Sequence, residues 1–130
     1  MRRALELARH AQAEGEVPIG SVVVFEDKII GEGWNRPISA SDPTAHAEIQ
    51  ALRAAALSMK NYRLGKAVLY VTLEPCDMCI GAMFHARIAR VVYGASDPKK
   101  LVLKNQVSLQ GGVLADECGS ILSKFFADKR

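Results

Sequence analysis

The sequence predicts an α/β domain built around a mixed β-sheet. Helical and strand patterns alternate along the chain in the order α, β, β, α, β, α, β, followed by a short strand and a terminal helix. The composition agrees, since 49% of the 130 residues are hydrophobic and 24% are charged, which suffices for one core. We therefore expect residues 1–130 to form a single domain.

The boundaries of the expected elements follow from hydrophobic period, capping residues, glycine and proline. In chain order they are a helix over 2–15, strands over 19–25 and 28–34 joined as a hairpin by Glu26 and Asp27, a surface loop over 35–43, a helix over 44–59, a strand over 67–73, a helix over 75–86, a strand over 89–93, a short strand over 106–109 and a helix from residue 115. Asp42 or Thr44 is the expected N-cap of the second helix, and Pro75 the expected start of the third. Loops and helix N-termini at the strand ends are where such folds bind ligands.

Charge, hydropathy and cysteine content narrow the class of protein. A net charge of +3 permits a polyanionic partner without requiring one. No segment approaches the roughly 18 apolar residues of a membrane span, and the N-terminus has no signal-peptide pattern. We therefore expect a cytoplasmic protein without a membrane partner. Three cysteines favour a metal site or free thiols over a disulfide framework.

The segment EPCDMCIGA, residues 74–82, indicates a metal site. Cys76 and Cys79 are three residues apart at the start of the third predicted helix, so both sulfurs project from one side of a helix N-terminus, where the dipole favours thiolate. His46 is the histidine that also lies at a predicted helix N-terminus. Two thiolates and one imidazole leave a fourth position for water, which is typical of a catalytic zinc ion.

Glu48 is expected to act beside this metal. On a helix, two residues apart means about 200° apart, so His46 and Glu48 do not share one helix face. If the first turn meets the metal end-on, His46 can bind zinc while Glu48 reaches the metal-bound water. Zinc lowers the pKa of that water, and a nearby carboxylate can take its proton and pass it on. Glu48 is thus expected to be the acid/base group and not a ligand.

Each motif alone has other interpretations. A lone CxxC is also typical of a redox pair or of half a zinc finger, and a lone His-x-Glu is weaker still. HAE followed by PCxxC, with a strand between them, matches the known signature of zinc deaminases. The remaining residues of these types are expected to be structural: Cys118 as a buried hydrophobe, His10 as a solvated helix residue, His85 at a helix end, and Met78 and Met83 in the core or a groove.

The chain resembles the bacterial tRNA-specific adenosine deaminases of the cytidine deaminase-like superfamily. The resemblance runs over nearly the whole chain, through EVPIGSVVV, GEGWNRP, DPTAHAEIQALR, NYRL, LYVTLEPCDMCIGAM, RIARVVYGASDPK and GVLADEC. HAE and PCxxC specify the superfamily, whereas GWNRP and HARIARVVYGASDPK favour this family over cytidine, guanine or riboflavin-pathway relatives. The resemblance implies a three-layer α/β/α cytidine deaminase-like fold with a mixed, mostly five-stranded sheet and one zinc ion per subunit.

The implied activity is hydrolytic deamination of adenosine to inosine at the wobble position of a tRNA anticodon. In that family zinc hydroxide attacks adenine C6, and a glutamate protonates N1 and then the departing ammonia; the matching residues are His46, Cys76, Cys79 and Glu48. Five further residues are implied to contact substrate: Asn35 with the flipped base, Asp97 with the sugar, and Val17, Pro18 and Ala45 as the pocket lining. Asn35 and Asp97 also fit turn-forming roles.

The implied partners are a tRNA anticodon loop and a second copy of the chain. A flipped adenosine must leave its stack, which costs least in a single-stranded loop. Fewer than half of the following cationic residues are expected to contact RNA: Arg36, Arg63, Lys99, Lys100 and Lys104. Family members form homodimers, and the apolar IGAMF segment fits an interface or core packing equally well.

Two alternatives to wobble deamination stay open. After DPKK the family usually carries a longer stretch containing glycine and serine, whereas here LVLKNQV follows at once. That shortening favours the same chemistry on a free base or nucleoside, such as guanine or cytosine. The second alternative is a non-catalytic RNA-binding subunit; such subunits typically lose the glutamate, so the intact Glu48 argues against it.

Overall fold

The computed structural model describes residues 1–98 and 103–129. Lys99 and Lys100, two of the predicted RNA contacts, lie outside the described residues. The side chain of Lys104 is also outside the described part of the chain.

The described residues form four α-helices and five strands in the predicted order. The helices are α1 (Arg2–Ala13), α2 (Ala47–Met59), α3 (Asp77–Ala86) and α4 (Ala115–Asp128). The strands are β1 (Gly20–Phe25), β2 (Lys28–Trp34), β3 (Val68–Leu73), β4 (Arg90–Ala95) and β5 (Leu109–Gln110), with a 3₁₀ turn over Lys104–Gln106. The predicted α/β class is confirmed.

The sheet is mixed, with the strand order β2-β1-β3-β4-β5. β1 pairs antiparallel with β2 and β3, while β4 pairs parallel with β3 and β5. The β1–β2 hairpin turns at Glu26 and Asp27, whose φ angles of 50° and 63° are those of a type I′ turn. Because β3 and β4 are parallel, their carboxyl ends, Leu73 and Ala95, meet at one edge of the sheet.

Helices cover both faces of the sheet and give three layers. α2 and α3 contact each other, and their buried residues join the main core cluster with those of β3 and β4. α1 and α4 contact each other on the opposite face, where Leu5, Ala95 and Cys118 form a second cluster. The three-layer α/β/α arrangement is therefore confirmed.

α2 lies unusually close to β2, because two glycines of the strand face it. A Cβ atom on Gly31 would lie 2.4 Å from the carbonyl oxygen of Ala51, and one on Gly33 would lie 2.3 Å from that of Ala47. Real Cβ atoms do not approach backbone oxygen so closely, so only glycine fits at either position. The backbone of the helix therefore packs directly against the backbone of the strand.

Two predicted helix starts are wrong by a few residues. α2 begins at Ala47 with His46 as N-cap, and not at Thr44, because Asp42 instead accepts hydrogen bonds from the backbone N–H and the hydroxyl of Thr44 in a local turn. α3 begins at Asp77 with Cys76 as N-cap, so Pro75 lies before the helix and not in its first turn. Both shifts place a predicted metal ligand at an N-cap.

Two further expectations differ from the structure. The last strand comprises Leu109–Gln110, and the 3₁₀ turn takes the place of its predicted start. The predicted surface loop over 35–43 has a buried first residue, since Asn35 is only 7% exposed. Asn35 is buried because its N–H donates to the carbonyl of Ile19 at 3.0 Å, which extends the antiparallel pairing of β1 and β2 by one residue.

Candidate active site

The N-termini of α2 and α3 meet at the carboxyl edge of the sheet. His46, the N-cap of α2, and Cys76, the N-cap of α3, both have extended backbone, with ψ angles of 154° and 170°. Cys79 is the third residue of α3 and returns to the same side as Cys76. The positive ends of two helix dipoles therefore face one point, which favours anionic thiolates there.

The three side chains form a compact set of potential metal ligands. The His46 Nδ1 atom lies 3.6 Å from the Cys76 sulfur and 3.5 Å from the Cys79 sulfur. All three ligand atoms lie within 4.8 Å of one another. In a tetrahedral zinc site, nitrogen at about 2.0 Å and sulfur at about 2.3 Å from the metal are about 3.6 Å apart. The donor types and the distances therefore fit zinc.

The two thiols differ in acidity, although they lie in the same site. Contacts with the Cys79 side chain and with the imidazole of His46 lower the pKa of Cys76 to about 4. The contact with Cys76 and burial both raise the pKa of Cys79 well above its ordinary value. The hydrogen bond to Cys76 raises the pKa of His46. The pair thus holds a thiolate and a thiol beside an imidazole, and a divalent cation would displace the remaining protons.

Glu48, the second residue of α2, is buried beside the ligand set and only 4% exposed. Burial raises the pKa of its carboxyl group to about 7, and the nearby Cys76 acts in the same direction. A cation bound by His46, Cys76 and Cys79 would act in the opposite direction. A carboxyl group that titrates near neutrality can both accept and donate a proton at physiological pH.

A cavity of about 460 Å³ opens onto this set of residues. Its volume lies in the usual range for small-molecule sites. The described residues that line it are Val17, Ile19, Asn35, His46, Glu48, Leu73, Glu74, Cys76, Ser96, Asp97, Pro98, Leu122 and Phe126. The cavity therefore brings one potential proton carrier, two potential ligands and several polar groups to one space.

The structure brings together some of the predicted substrate contacts and separates others. Val17, Asn35 and Asp97 line the cavity with His46 and Glu48. Pro18 and Ala45 are buried and do not belong to the described lining, although each is next in sequence to a lining residue or a ligand. If Pro18 and Ala45 affect a bound base, they do so by packing against the residues that line the cavity.

Several lining residues were not identified from the sequence. Leu122 and Phe126 approach from α4, where one helical turn separates them. Their spacing predicts a shared helix face, but nothing local in the sequence says which cavity that face meets. Phe126 remains 49% exposed, so its ring borders the cavity and solvent together.

Glu74 links the two parallel strands at the cavity edge. Its backbone N–H donates to the carbonyl of Ala95 at 2.8 Å, and its carboxylate accepts the N–H of Asp97 at 3.0 Å. The structure thereby gives Glu74 the role of backbone acceptor that fits its position after β3. Asp97 is held at the cavity edge through its main chain.

The other histidines, cysteine and methionines singled out from the sequence do not belong to the ligand set. Cys118 is fully buried against Gly94, as expected for a small hydrophobe. His10 lies on α1 with its ring centroid 4.3 Å from that of Trp34. Met83 is fully buried, whereas Met78 and His85 line a second groove between α2 and α3.

No helix of the described residues is long and apolar enough to cross a membrane.

Comparisons with known proteins place this geometry in a family. The family model for the cytidine and deoxycytidylate deaminase zinc-binding region matches residues 1–95, which include all three potential ligands and Glu48. The tRNA-specific adenosine deaminase of Buchnera aphidicola (subsp. Schizaphis graminum) is 50% identical, and the alignment covers 100% of this chain and 93% of the relative. That alignment has 141 positions for the 130 residues of this chain, so at least 11 residues of the relative have no counterpart here.

Solved structures show the same fold. A structure from a study of A-to-I editing by tRNA:A34 deaminases at the wobble position of transfer RNA superposes with a TM-score of 0.88 at 40% identity, covering 94% of this chain and 97% of that one. A guanine deaminase from Nitrosomonas europaea superposes with a TM-score of 0.87 at 25% identity, covering 97% of this chain and 82% of that one. The fold is therefore shared by deaminases of different purine substrates.

Proposed function

We propose that this chain converts adenosine to inosine at the wobble position of a tRNA anticodon. The chain belongs to the zinc-binding cytidine and deoxycytidylate deaminase family and, within it, to the tRNA-specific adenosine deaminases. The observation that carries this proposal is the buried Glu48 beside the His46, Cys76 and Cys79 ligand set, with Glu48, His46 and Cys76 lining one cavity. The reaction consumes one water and releases one ammonia, and no redox partner takes part.

The metal site fits zinc and would be formed by His46, Cys76 and Cys79 in each subunit. When bound, zinc supplies an activated water of near-neutral pKa. Every remaining proton transfer falls to this chain. The carboxyl group of Glu48 takes one proton from the attacking water and delivers it to adenine N1. It then takes the remaining proton of the hydroxyl group added at C6 and delivers it to the departing amino group, which leaves as ammonia. Its burial near the ligand set and its contact with the cavity support this role.

The substrate contacts are proposed among the other residues that line the cavity. Asn35 offers a carboxamide, which can both donate to and accept from the edge of a flipped base. Val17 offers an apolar side chain for the base, and Asp97 a carboxylate for the ribose. Pro18 and Ala45, which are buried next to a lining residue and a ligand, would support the pocket through packing.

An RNA substrate would be held beyond the cavity by charge and stacking. The Arg36 guanidinium lies over the Trp34 ring, 5.4 Å from its centroid, next in sequence to the cavity residue Asn35. Such pairs suit the phosphates and unstacked bases of a single-stranded loop. With tRNA as substrate, we also propose a cytoplasmic location and a single deaminase domain over residues 1–130.

The proposed assembly is a homodimer that uses the groove between α2 and α3. This groove of about 510 Å³ is lined by apolar side chains that include Ile49, Ala82 and the exposed Tyr62. Thr44 and Met78 also line it and lie within two residues of the metal ligands. A second copy in the groove would therefore lie beside the active site, as a neighbour completing the pocket requires.

The dimer can be tested with one introduced charge. Ala82→Glu places a carboxylate in the groove, so we expect it to dissociate a dimer into monomers in sedimentation velocity. Leu57→Glu is the matched control, because Leu57 is 80% exposed on α2 outside the described groove lining. A monomeric wild-type protein, or a dimer that tolerates Ala82→Glu, would contradict this interface.

A second candidate function is deamination of a free purine. The superposition on a guanine deaminase, together with the 11 or more residues of the adenosine deaminase relative that have no counterpart here, favours this possibility. The same ligands and Glu48 would serve it, so the metal site does not distinguish the two. Only the substrate experiment does.

The decisive experiment is single-turnover deamination of an anticodon stem-loop with adenosine at the wobble position. Free adenosine, cytidine and guanine are assayed in parallel with the zinc-loaded protein. We expect inosine in the RNA and no turnover of the free compounds. Turnover of guanine alone would keep the chemistry and replace the substrate. No turnover of any of the four would reject the proposed function.

A further inference from the structure

We infer that Glu16 is a positioning residue that fixes the segment 36–41 and, through it, the neighbouring Asn35 against the active-site cavity. The positioning of a base contact rests on the proposed function; the fixing of the segment does not. Glu16 is only 2% exposed and does not line the cavity. Any effect of Glu16 on substrate must therefore pass through other residues.

The carboxylate of Glu16 accepts three hydrogen bonds from two consecutive residues of the segment. The backbone N–H of Ile38 donates at 3.3 Å, and the N–H and hydroxyl of Ser39 donate at 2.6 Å and 2.7 Å. The segment itself forms a single helical turn, with the N–H of Ala40 donating to the carbonyl of Arg36 at 2.9 Å. Glu16 thus caps the free amides of this turn from a different part of the chain.

Because the Glu16 carboxylate is buried, it stabilises the turn only in the position where its hydrogen bonds are formed. Burial alone raises the pKa of Glu16, but the Ser39 and Ile38 donors outweigh it, so that the net pKa lies below its ordinary value. The carboxylate is therefore charged, enclosed and dependent on those donors. A displaced turn would leave a buried charge without its hydrogen bonds, which is a costly arrangement.

The chain around Glu16 connects the cap to two residues of the cavity. Val17 follows Glu16 directly and lines the cavity, and Asn35, which precedes the capped turn, lines it as well. The N–H of Asn35 donates to the carbonyl of Ile19 at 3.0 Å, and that of Arg36 to the carbonyl of Ala45 at 2.9 Å. Glu16 binds the N–H of Ile38, three residues after Asn35. By fixing the turn, it keeps the carboxamide of Asn35 in place for contact with the base.

The first test measures the turn itself, without using activity. Glu16→Gln has nearly the same shape, but its NH₂ group must face one of the donors. In the zinc-loaded protein we expect amide hydrogen exchange at Ile38 and Ser39 to accelerate at least about fivefold. Glu32→Gln is the matched control, because the described side-chain hydrogen bonds of Glu32, a residue of β2, come from Arg3 of α1 and not from this turn. Unchanged exchange at Ile38 and Ser39 would overturn the inference.

The second test asks whether Glu16 acts through Asn35. On the stem-loop substrate, Glu16→Gln is expected to raise KM more than it lowers kcat, with one zinc per chain retained. In an Asn35→Ala background the same substitution should have almost no further effect on kcat/KM, because the contact it positions is already gone. An equal loss in both backgrounds would overturn the role through Asn35. If the wild-type protein is inactive on every substrate, the proposed function fails and the exchange result alone decides whether Glu16 fixes the turn.

Discussion

Glu48→Gln is expected to bind zinc, fold normally and lose about 10²- to 10⁴-fold of its single-turnover rate. The substitution keeps the shape of a side chain that is only 4% exposed, and it removes no ligand from the His46, Cys76 and Cys79 set. It does remove the carboxyl group beside the ligand set, which carries protons from water to base in the proposed reaction. Zinc content, thermal unfolding and the rate with the stem-loop are measured on the same preparation.

Glu74→Gln is the appropriate comparison for this variant. Glu74 is a second carboxylate of the same cavity, and the oxygen that remains after substitution can still accept the N–H of Asp97. A far smaller loss is therefore expected than for Glu48→Gln. Comparable losses in the two variants, or near wild-type turnover by Glu48→Gln, would refute the proton-carrier role of Glu48.

Cys79→Ala is expected to lose zinc and, with it, all measurable turnover. Cys79 is fully buried, and its sulfur lies 3.5 Å from the Nδ1 atom of His46 as one of the three potential ligands. Loss of the buried sulfur should lower the free energy of unfolding by about 0.5–3 kcal/mol. Loss of the bound metal should lower it further. Zinc per chain is determined by elemental analysis, and unfolding is followed in urea with and without chelator.

Cys118→Ala separates the metal effect from the loss of a buried thiol. Cys118 is equally buried but packs against Gly94 in the cluster on the opposite face of the sheet. We expect it to be destabilised yet to keep one zinc per chain, and its stability should still respond to chelator. Stoichiometric zinc in Cys79→Ala would exclude Cys79 as a ligand.

The features that the sequence predicts well are those with a local physical signature. The hairpin at Glu26 and Asp27 and the apolar strands follow from residues near one another in the chain. The chemistry-bearing residues were recognised because His46, Glu48, Cys76 and Cys79 have fixed spacings at helix starts. Ligands and proton carriers must approach within a few ångströms, which short motifs at two helix ends can specify.

The features that the sequence did not predict depend on a choice between local partners or on contacts between distant segments. The start of α2 shifted because the Asp42 carboxylate has two possible partners, and the local turn with Thr44 was formed instead of a helix cap. The burial of Asn35 depends on its pairing with Ile19, sixteen positions earlier by residue number. The approach of Phe126 to the cavity depends on how α4 packs against β4. None of these contacts leaves a periodic pattern in the sequence.

The glycines of β2 have a consequence for how such an enzyme can diversify. Asn35 directly follows β2, and His46 and Glu48 stand at the start of α2, so the spacing between Asn35 and the ligand set depends on the strand and helix backbones that touch at Gly31 and Gly33. Core side chains elsewhere can drift in size without altering that spacing. Substrate preference can therefore change through substitution of lining residues such as Val17 or Phe126, while the distance between Asn35 and the ligand set stays the same. A single methyl group on Gly31 or Gly33 would change that distance.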